Sequence, residues 1–271
     1  MKKISLLIFT LLHALFLGAE NPGIYILVHG TWGADAEWHQ SSSDFYKTLE
    51  VSAQRYNKKI VSFTWSGKFN HKNRVKAAKQ LVKLICSYPE HTSINIISHS
   101  HGSNVGNIAS QLLSESKQHK NMIDSFFAFG TPVDTKKYMP NMNAIKRYYN
   151  FFSYNDWVQP ILGFFERVYP PHHRIANLRL IIDCMHPSHR SILVPAIARW
   201  LPDFPDKLSQ QRMGNFEHFN FSHPGVVHFS SAACPTYSIE SRYLRLLEGE
   251  PNIIALIAST IELEKSHKIN A

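Results

Sequence analysis

The sequence predicts an α/β fold, a mostly parallel central sheet of about six strands with helices on both faces. Three observations carry that expectation. Short apolar runs rich in β-branched residues recur along the chain, as in "GIYILVHG" (23–30) and "SINIISHS" (93–100). Between such runs lie segments of roughly ten to twenty residues with apolar positions at helical spacing. Strand and helix alternating in this way build βαβ units, whose strands run parallel and whose helices cover the sheet. The length of 271 residues suits one sizeable α/β domain or two small ones, and 44% hydrophobic against 18% charged residues marks a globular chain.

The elements follow in order. Residues 1–19 read as a leader: "MKK" is a basic n-region, an apolar run follows, and Ala19 offers a small residue for cleavage. The chain is therefore expected to be exported via a signal peptide (periplasmic, secreted or membrane-associated), with 20–271 as the mature domain. The apolar run is shorter than the roughly 20 residues a spanning helix needs, and an uncleaved anchor is the alternative. The strand at 23–30 leads to a polar loop carrying Trp32 and Trp38. "SDFYKTLEVSAQRYN" (43–57) is helical, with Ser43 or Asp44 as N-cap. A second strand, "KIVSFTWSG" (59–67), ends at glycine, and the apolar spacing of "NRVKAAKQLVKLICSY" (73–88) predicts a helix.

A third strand at 94–97 then runs into the helix "HGSNVGNIASQLLSES" (101–116). The fourth and fifth strands are "MIDSFFAFGTP" (122–132) and "IKRYYNFFSYND" (145–156). The sixth, "LRLIIDCM" (178–185), leads into a helix within "HPSHRSILVPAIARWL" (186–201). From about 203 onward, prolines, histidines and aromatics without clear period predict an irregular C-terminal lobe, part of the same domain or packed on it. It ends in a helical stretch, "PNIIALIASTIELEKSHK" (251–268).

Composition narrows the function classes. A formal net charge of +9 suits a solvated basic surface, or attraction to an anionic lipid surface or acidic substrates. The basic residues are scattered, with no basic run, zinc-finger spacing or RNA-binding motif, which together with export argues against nucleic acid. Of the three cysteines, Cys184 and Cys234 are the expected disulfide pair in an oxidising compartment. Cys86 is expected to pack in its helix as a small apolar residue, although sequence alone leaves the pairing open. His99-x-His101, His172-His173 and His186-x-x-His189 raise the question of a metal. The H-E-x-x-H signature is absent, and no metal or organic cofactor is expected.

Ligands of open parallel sheets bind beyond the carboxyl ends of the strands. The first suspects are therefore His29–Thr31, Ser100–His101, Thr131–Pro132, Asp156, and His186 to His189. Around Ser100 a buried strand meets a helix across a tight turn, the arrangement of a nucleophile elbow. Strand and helix then pack almost against each other, so the residues two before and two after the nucleophile must be small; here they are Ser98 and Gly102. The His101 amide points from the helix N-terminus at developing negative charge.

These residues resemble the α/β-hydrolase superfamily and, within it, lipases and esterases. "SHSHG" is similar to the lipase form G-H-S-x-G at His99, Ser100 and Gly102, with Ser98 where the family usually has glycine. "ILVHGTWG" resembles the strand and His-Gly turn that furnish the second oxyanion donor, here the amide of Thr31. "NFFSYNDWVQP" resembles the segment bearing the triad acid, which maps onto Asp156, and "MHPSHRSI" the place of the histidine, His189. The order Ser100, Asp156, His189 is the family's.

The resemblance covers roughly residues 23–200 and implies an α/β-hydrolase fold. It also implies a serine hydrolase cleaving carboxylic esters, with ester or lipid as substrate and no cofactor. Ser100, Asp156 and His189 would form the triad, and Thr31 and His101 the oxyanion hole. Asp134 is the alternative acid and His186 the alternative base. His99 is expected to pack or hydrogen-bond beneath the elbow. Trp32 and Trp38 either line an acyl pocket or simply pack. "WVQPILGFFERVYPP" (157–171) is either a helix covering the sheet or an acyl-binding wall. The rival function is a catalytically inactive member of the fold, exported to bind an envelope or host partner.

Overall fold

The computed structural model describes residues 23–33, 37–116, 121–163, 166–206, 225–229 and 236–239. Its first strand, β1 (Gly23–Val28), is buried along its whole length. A strand covered on both faces has no polar side, which is why it reads as a continuous apolar run. β2 (Lys58–Phe63), β3 (Ile94–His99), β4 (Ile123–Phe129), β5 (Ile145–Phe152), β6 (Ile175–Ile182), β7 (Gly225–Phe229) and β8 (Thr236–Ile239) complete one sheet in the order β2-β1-β3-β4-β5-β6-β7-β8. All neighbours pair in parallel except β8, which runs antiparallel to β7.

The helices are α1 (Asp44–Gln54), α2 (His71–Cys86), α3 (His101–Glu115), the short α4 (Val158–Leu162) and α5 (Pro195–Trp200). Ser43 rather than Asp44 caps α1, its hydroxyl accepting the Tyr46 amide hydrogen at 3.1 Å. Alternate residues of each strand feed two cores. Ile24, Ile26, Val28, Ile94 and Phe126 pack with Leu81 and Ile85 of α2 and Val105 of α3. Tyr25, Leu27, Ile97, Phe127 and Phe151 pack with Phe45 and Leu49 of α1 and Ile197 of α5. Aromatic pairs lie side by side on β4 and β5, with ring centroids 4.8 Å apart for Phe126–Tyr148, 5.1 Å for Phe127–Tyr149 and 4.5 Å for Phe129–Phe151. Such cross-strand pairs hold the register that sets β3 and β5 at their fixed separation.

The structure corrects three expectations. Among the described residues the sheet has eight strands rather than about six, because β7 and β8 arise in the stretch expected to be irregular. The helix expected within 186–201 starts only at Pro195, with Pro in its first turn. Pro187 and a turn in which Ser191 N–H donates to the Ser188 carbonyl at 3.2 Å hold 186–194 out of helix. Cys86 is exposed rather than packed, since Ile85 takes the inward position in the last turn of α2. Cys184 is also exposed and free; Cys234, the leader 1–19 and the stretch 251–268 lie outside the described residues. Among the described residues no helix is long and apolar enough to cross a membrane.

Candidate active site

A single residue, Ser100, separates the end of β3 from the start of α3, and its backbone sits at φ 54°, ψ −132°. Side-chain-bearing residues rarely occupy that region, and strain of this kind persists only where the surroundings enforce it. They do so here: Ser100 N–H donates to the Phe129 carbonyl at 2.8 Å, and Ser103 N–H donates to the Ser100 carbonyl at 3.0 Å. The helix then runs directly against the end of β1. A Cβ on Gly102 would stand 2.4 Å from the Val28 carbonyl oxygen and 2.5 Å from that of His29, so only glycine fits. Ser98, where the family has glycine, is fully buried without harm. Its hydroxyl shares a 2.9 Å hydrogen bond with Ser103 Oγ and reaches the Phe127 carbonyl at 3.2 Å.

Asp156 lies just beyond β5 and is fully buried. His189 Nδ1–H donates to Asp156 Oδ2 at 2.7 Å, while Oδ1 accepts the amide hydrogens of Val158 at 3.0 Å and Gln159 at 3.2 Å. The proton on Nδ1 leaves His189 Nε2 as an acceptor. Ser100 and His189 line one cavity, with no direct hydrogen bond joining their side chains; such bonds are often long without substrate and tighten when it binds. The alternatives lie elsewhere. Asp134 Oδ1 accepts the Lys137 amide hydrogen at 3.1 Å within its own turn. His186 is exposed, its ring 6.1 Å from Tyr154.

A parallel sheet of this strand order, with a serine elbow after β3, a buried acid after β5 and its histidine after β6, decides the architecture. This is the α/β-hydrolase fold. No family model matches the chain, and no curated protein sequence matches it. Among solved structures it is similar to mouse alpha/beta hydrolase domain-containing protein 10, with TM-score 0.44 and 11% identity over 69% of this chain and 90% of that one. A methylesterase from Arabidopsis gives TM-score 0.41 and 14% identity over 69% and 100%. A cutinase-like protein from Cryptococcus sp. gives 0.34 and 18% over 42% of this chain, and the chain spans 56% of that protein's length.

In this α/β-hydrolase fold the turn after β1 lies against the elbow. His29 pins it: Nδ1–H donates to the Gly30 carbonyl at 2.8 Å, and Nε2 accepts the Trp65 amide hydrogen at 3.1 Å. Trp65 Nε1–H donates in return to the His29 carbonyl at 2.8 Å. Among the described residues, no other backbone group takes the amide hydrogens of Thr31 or His101. Burial pushes the His99 and His101 imidazoles down to about 3, helped by His189 beside the first and Arg74 beside the second. Both rings are neutral at any pH near 7.

The cavity measures about 1080 Å³, and its apolar wall includes Trp32, Trp38, Phe45, Phe69, Leu162 and Leu193. The two tryptophans differ. Trp32 is 80% exposed and stacks on Phe69 with centroids 5.9 Å apart, so it stands at the rim. Trp38 packs edge-on to Phe45 at 5.6 Å and forms part of the wall. Val158 and Leu162 of α4 also face the cavity. Phe45, Phe69 and Leu193 have no motif to mark them. Phe45 and Phe69 lie at the starts of α1 and α2, where a sheet-end cavity draws its lining, and Leu193 just before α5.

Proposed function

We propose that this protein is an exported serine hydrolase that cleaves carboxylic esters through an acyl-enzyme. The observation that carries the reading is the buried Asp156 carboxylate bonded to His189 in a cavity shared with Ser100. His189 Nε2 takes the Ser100 hydroxyl proton as Oγ attacks the ester carbonyl, and Asp156 stabilises the imidazolium that forms. The carbonyl oxygen becomes an oxyanion facing the amide hydrogens of Thr31 and His101. One such donor is worth about 3–4 kcal/mol of barrier. As the tetrahedral intermediate collapses, the proton passes from His189 to the departing alkoxide and the alcohol leaves. Water then attacks the acyl-Ser100 ester with the same imidazole as base, releasing the acid and restoring the hydroxyl.

The aromatic and aliphatic wall supports an ester with an apolar acyl or alcohol group, extending to lipids. The basic charge supports meeting such substrates at an anionic lipid surface. The test pairs a fluorophosphonate probe with a short p-nitrophenyl ester. Wild-type protein should label at Ser100 and turn the ester over, and Ser100→Ala should do neither. Undiminished turnover in Ser100→Ala removes the serine from the mechanism. A folded wild-type protein that fails to label points instead to a non-catalytic binding role.

A further inference from the structure

We propose that His99 is a positioning residue: its imidazole N–H holds the main-chain carbonyl of His189 and so sets the separation of nucleophile and base. The inference rests on the ester-hydrolase reading above. His99 Nε2 lies 2.9 Å from the His189 carbonyl oxygen. A carbonyl only accepts, so the proton of the neutral ring sits on Nε2 and Nδ1 is bare. The two imidazole centroids are 4.6 Å apart, and Trp38 meets the His99 ring edge-on at 6.5 Å, so the ring has little freedom to turn away.

The mechanical case follows from where the two residues sit. His189 belongs to the non-helical stretch between β6 and α5, which has no ladder to fix its backbone. Asp156 orients the ring, but a ring hydrogen bond leaves the main chain beneath it free to shift. His99 supplies the missing constraint and is the residue immediately before Ser100 in the chain. One peptide link and one hydrogen bond thus join nucleophile to base. The other route runs from Asp156 through β5 and β4 to β3. Misplacement of a reacting group by about 1 Å can cost on the order of a hundredfold in rate. His99 is no rival base, because its Nε2 is already protonated and occupied and burial keeps the ring from taking a second proton.

The test compares His99→Phe, which keeps an aromatic ring without a donor, with His99→Gln, which keeps a donor without a ring. Ester turnover and the rate of fluorophosphonate labelling at Ser100 are measured, both normalised to folded protein by thermal melt. His99→Phe should lower kcat about tenfold to a hundredfold with KM within about twofold, and His99→Gln should restore kcat to within about threefold. Should His99→Phe not fold, His99→Asn replaces it, since its shorter amide stops short of the carbonyl and should lose kcat likewise. A donor-free variant with wild-type kcat, or a Gln variant as damaged as Phe, overturns the inference while wild-type labelling leaves the enzyme intact. Wild-type protein that does not label at Ser100 overturns the ester-hydrolase reading beneath it.

Discussion

Asp156 holds His189 with one carboxylate oxygen and the first amides of α4 with the other, at 2.7 Å on one side and 3.0 and 3.2 Å on the other. Neither oxygen is spare, so the carboxylate cannot rotate without breaking a bond in the buried interior. The imidazole is held in the tautomer that leaves Nε2 able to accept a proton.

Asp156→Asn should keep this packing and lose the chemistry. The amide oxygen can stay on Val158 and Gln159, which sets the NH₂ against His189 Nδ1. The imidazole must then carry its proton on Nε2, facing the serine. Turnover should drop by about four orders of magnitude with the fold retained. Asp134→Asn, which loosens only a local turn, should stay within about twofold. Steady-state kinetics on a p-nitrophenyl ester separate the two, and the reverse ranking would return the acid to the segment after β4.

The histidines separate in the same assay. His189→Ala removes the base and should cost at least about a thousandfold in kcat. His186 is exposed and contributes its main-chain carbonyl, which accepts from Asn155 Nδ2 at 3.3 Å. Its side chain can be truncated, and His186→Ala should keep kcat within about twofold.

The elbow offers a contrast between two small residues. Gly102→Ala drives a methyl group into the carbonyls of Val28 and His29, on a strand held from both sides by β2 and β3. The helix must lift, taking the His101 amide with it. Overpacking of this kind costs about 1–3 kcal/mol and should lower both Tm and kcat. Ser98→Gly leaves room and should keep kcat, losing about 1 kcal/mol of stability with its buried hydroxyl bonds. Equal loss of activity in both variants would contradict the steric account.

What the sequence reveals of this molecule depends on how local each constraint is. The elbow is confined to five residues, 98–102, so its demand for small neighbours around Ser100 shows directly. Buried β1 and β3 show as apolar runs because both their faces are covered. Asp156 and His189 are 33 positions apart; resemblance and position favour them over Asp134 and His186, but no local pattern ties one to the other, and only the folded chain brings the pair together. The four residues of β8 and five of β7 are too short to show a period; β7 is a strand because the edge of β6 offers a ladder, and β8 because β7 in turn offers its own. In 186–194 the aliphatic run invites a helix, and Pro187 with the serine turn prevents it.

Acid should destabilise the protein through two histidines, the partly buried His99 and the buried His101. His99 and His101 are held at about 3 when folded, chiefly by burial, against 6.5 for an ordinary imidazole. Between those values the unfolded chain binds protons that the folded one refuses, so stability rises with pH in that window. Their contribution is complete above about pH 6.5 and is lost progressively toward pH 3. Each group can supply a slope of at most about 1.4 kcal/mol per pH unit. Thermal melts from pH 4 to 7.5 (roughly the span over which histidine linkage acts) should show Tm falling on the acid side. In His99→Gln, which keeps a donor but cannot titrate, the fall should be shallower by one proton's share. A His99→Gln profile parallel to wild type, or a wild-type Tm that climbs on acidification, contradicts the assignment of these rings as neutral in the folded protein.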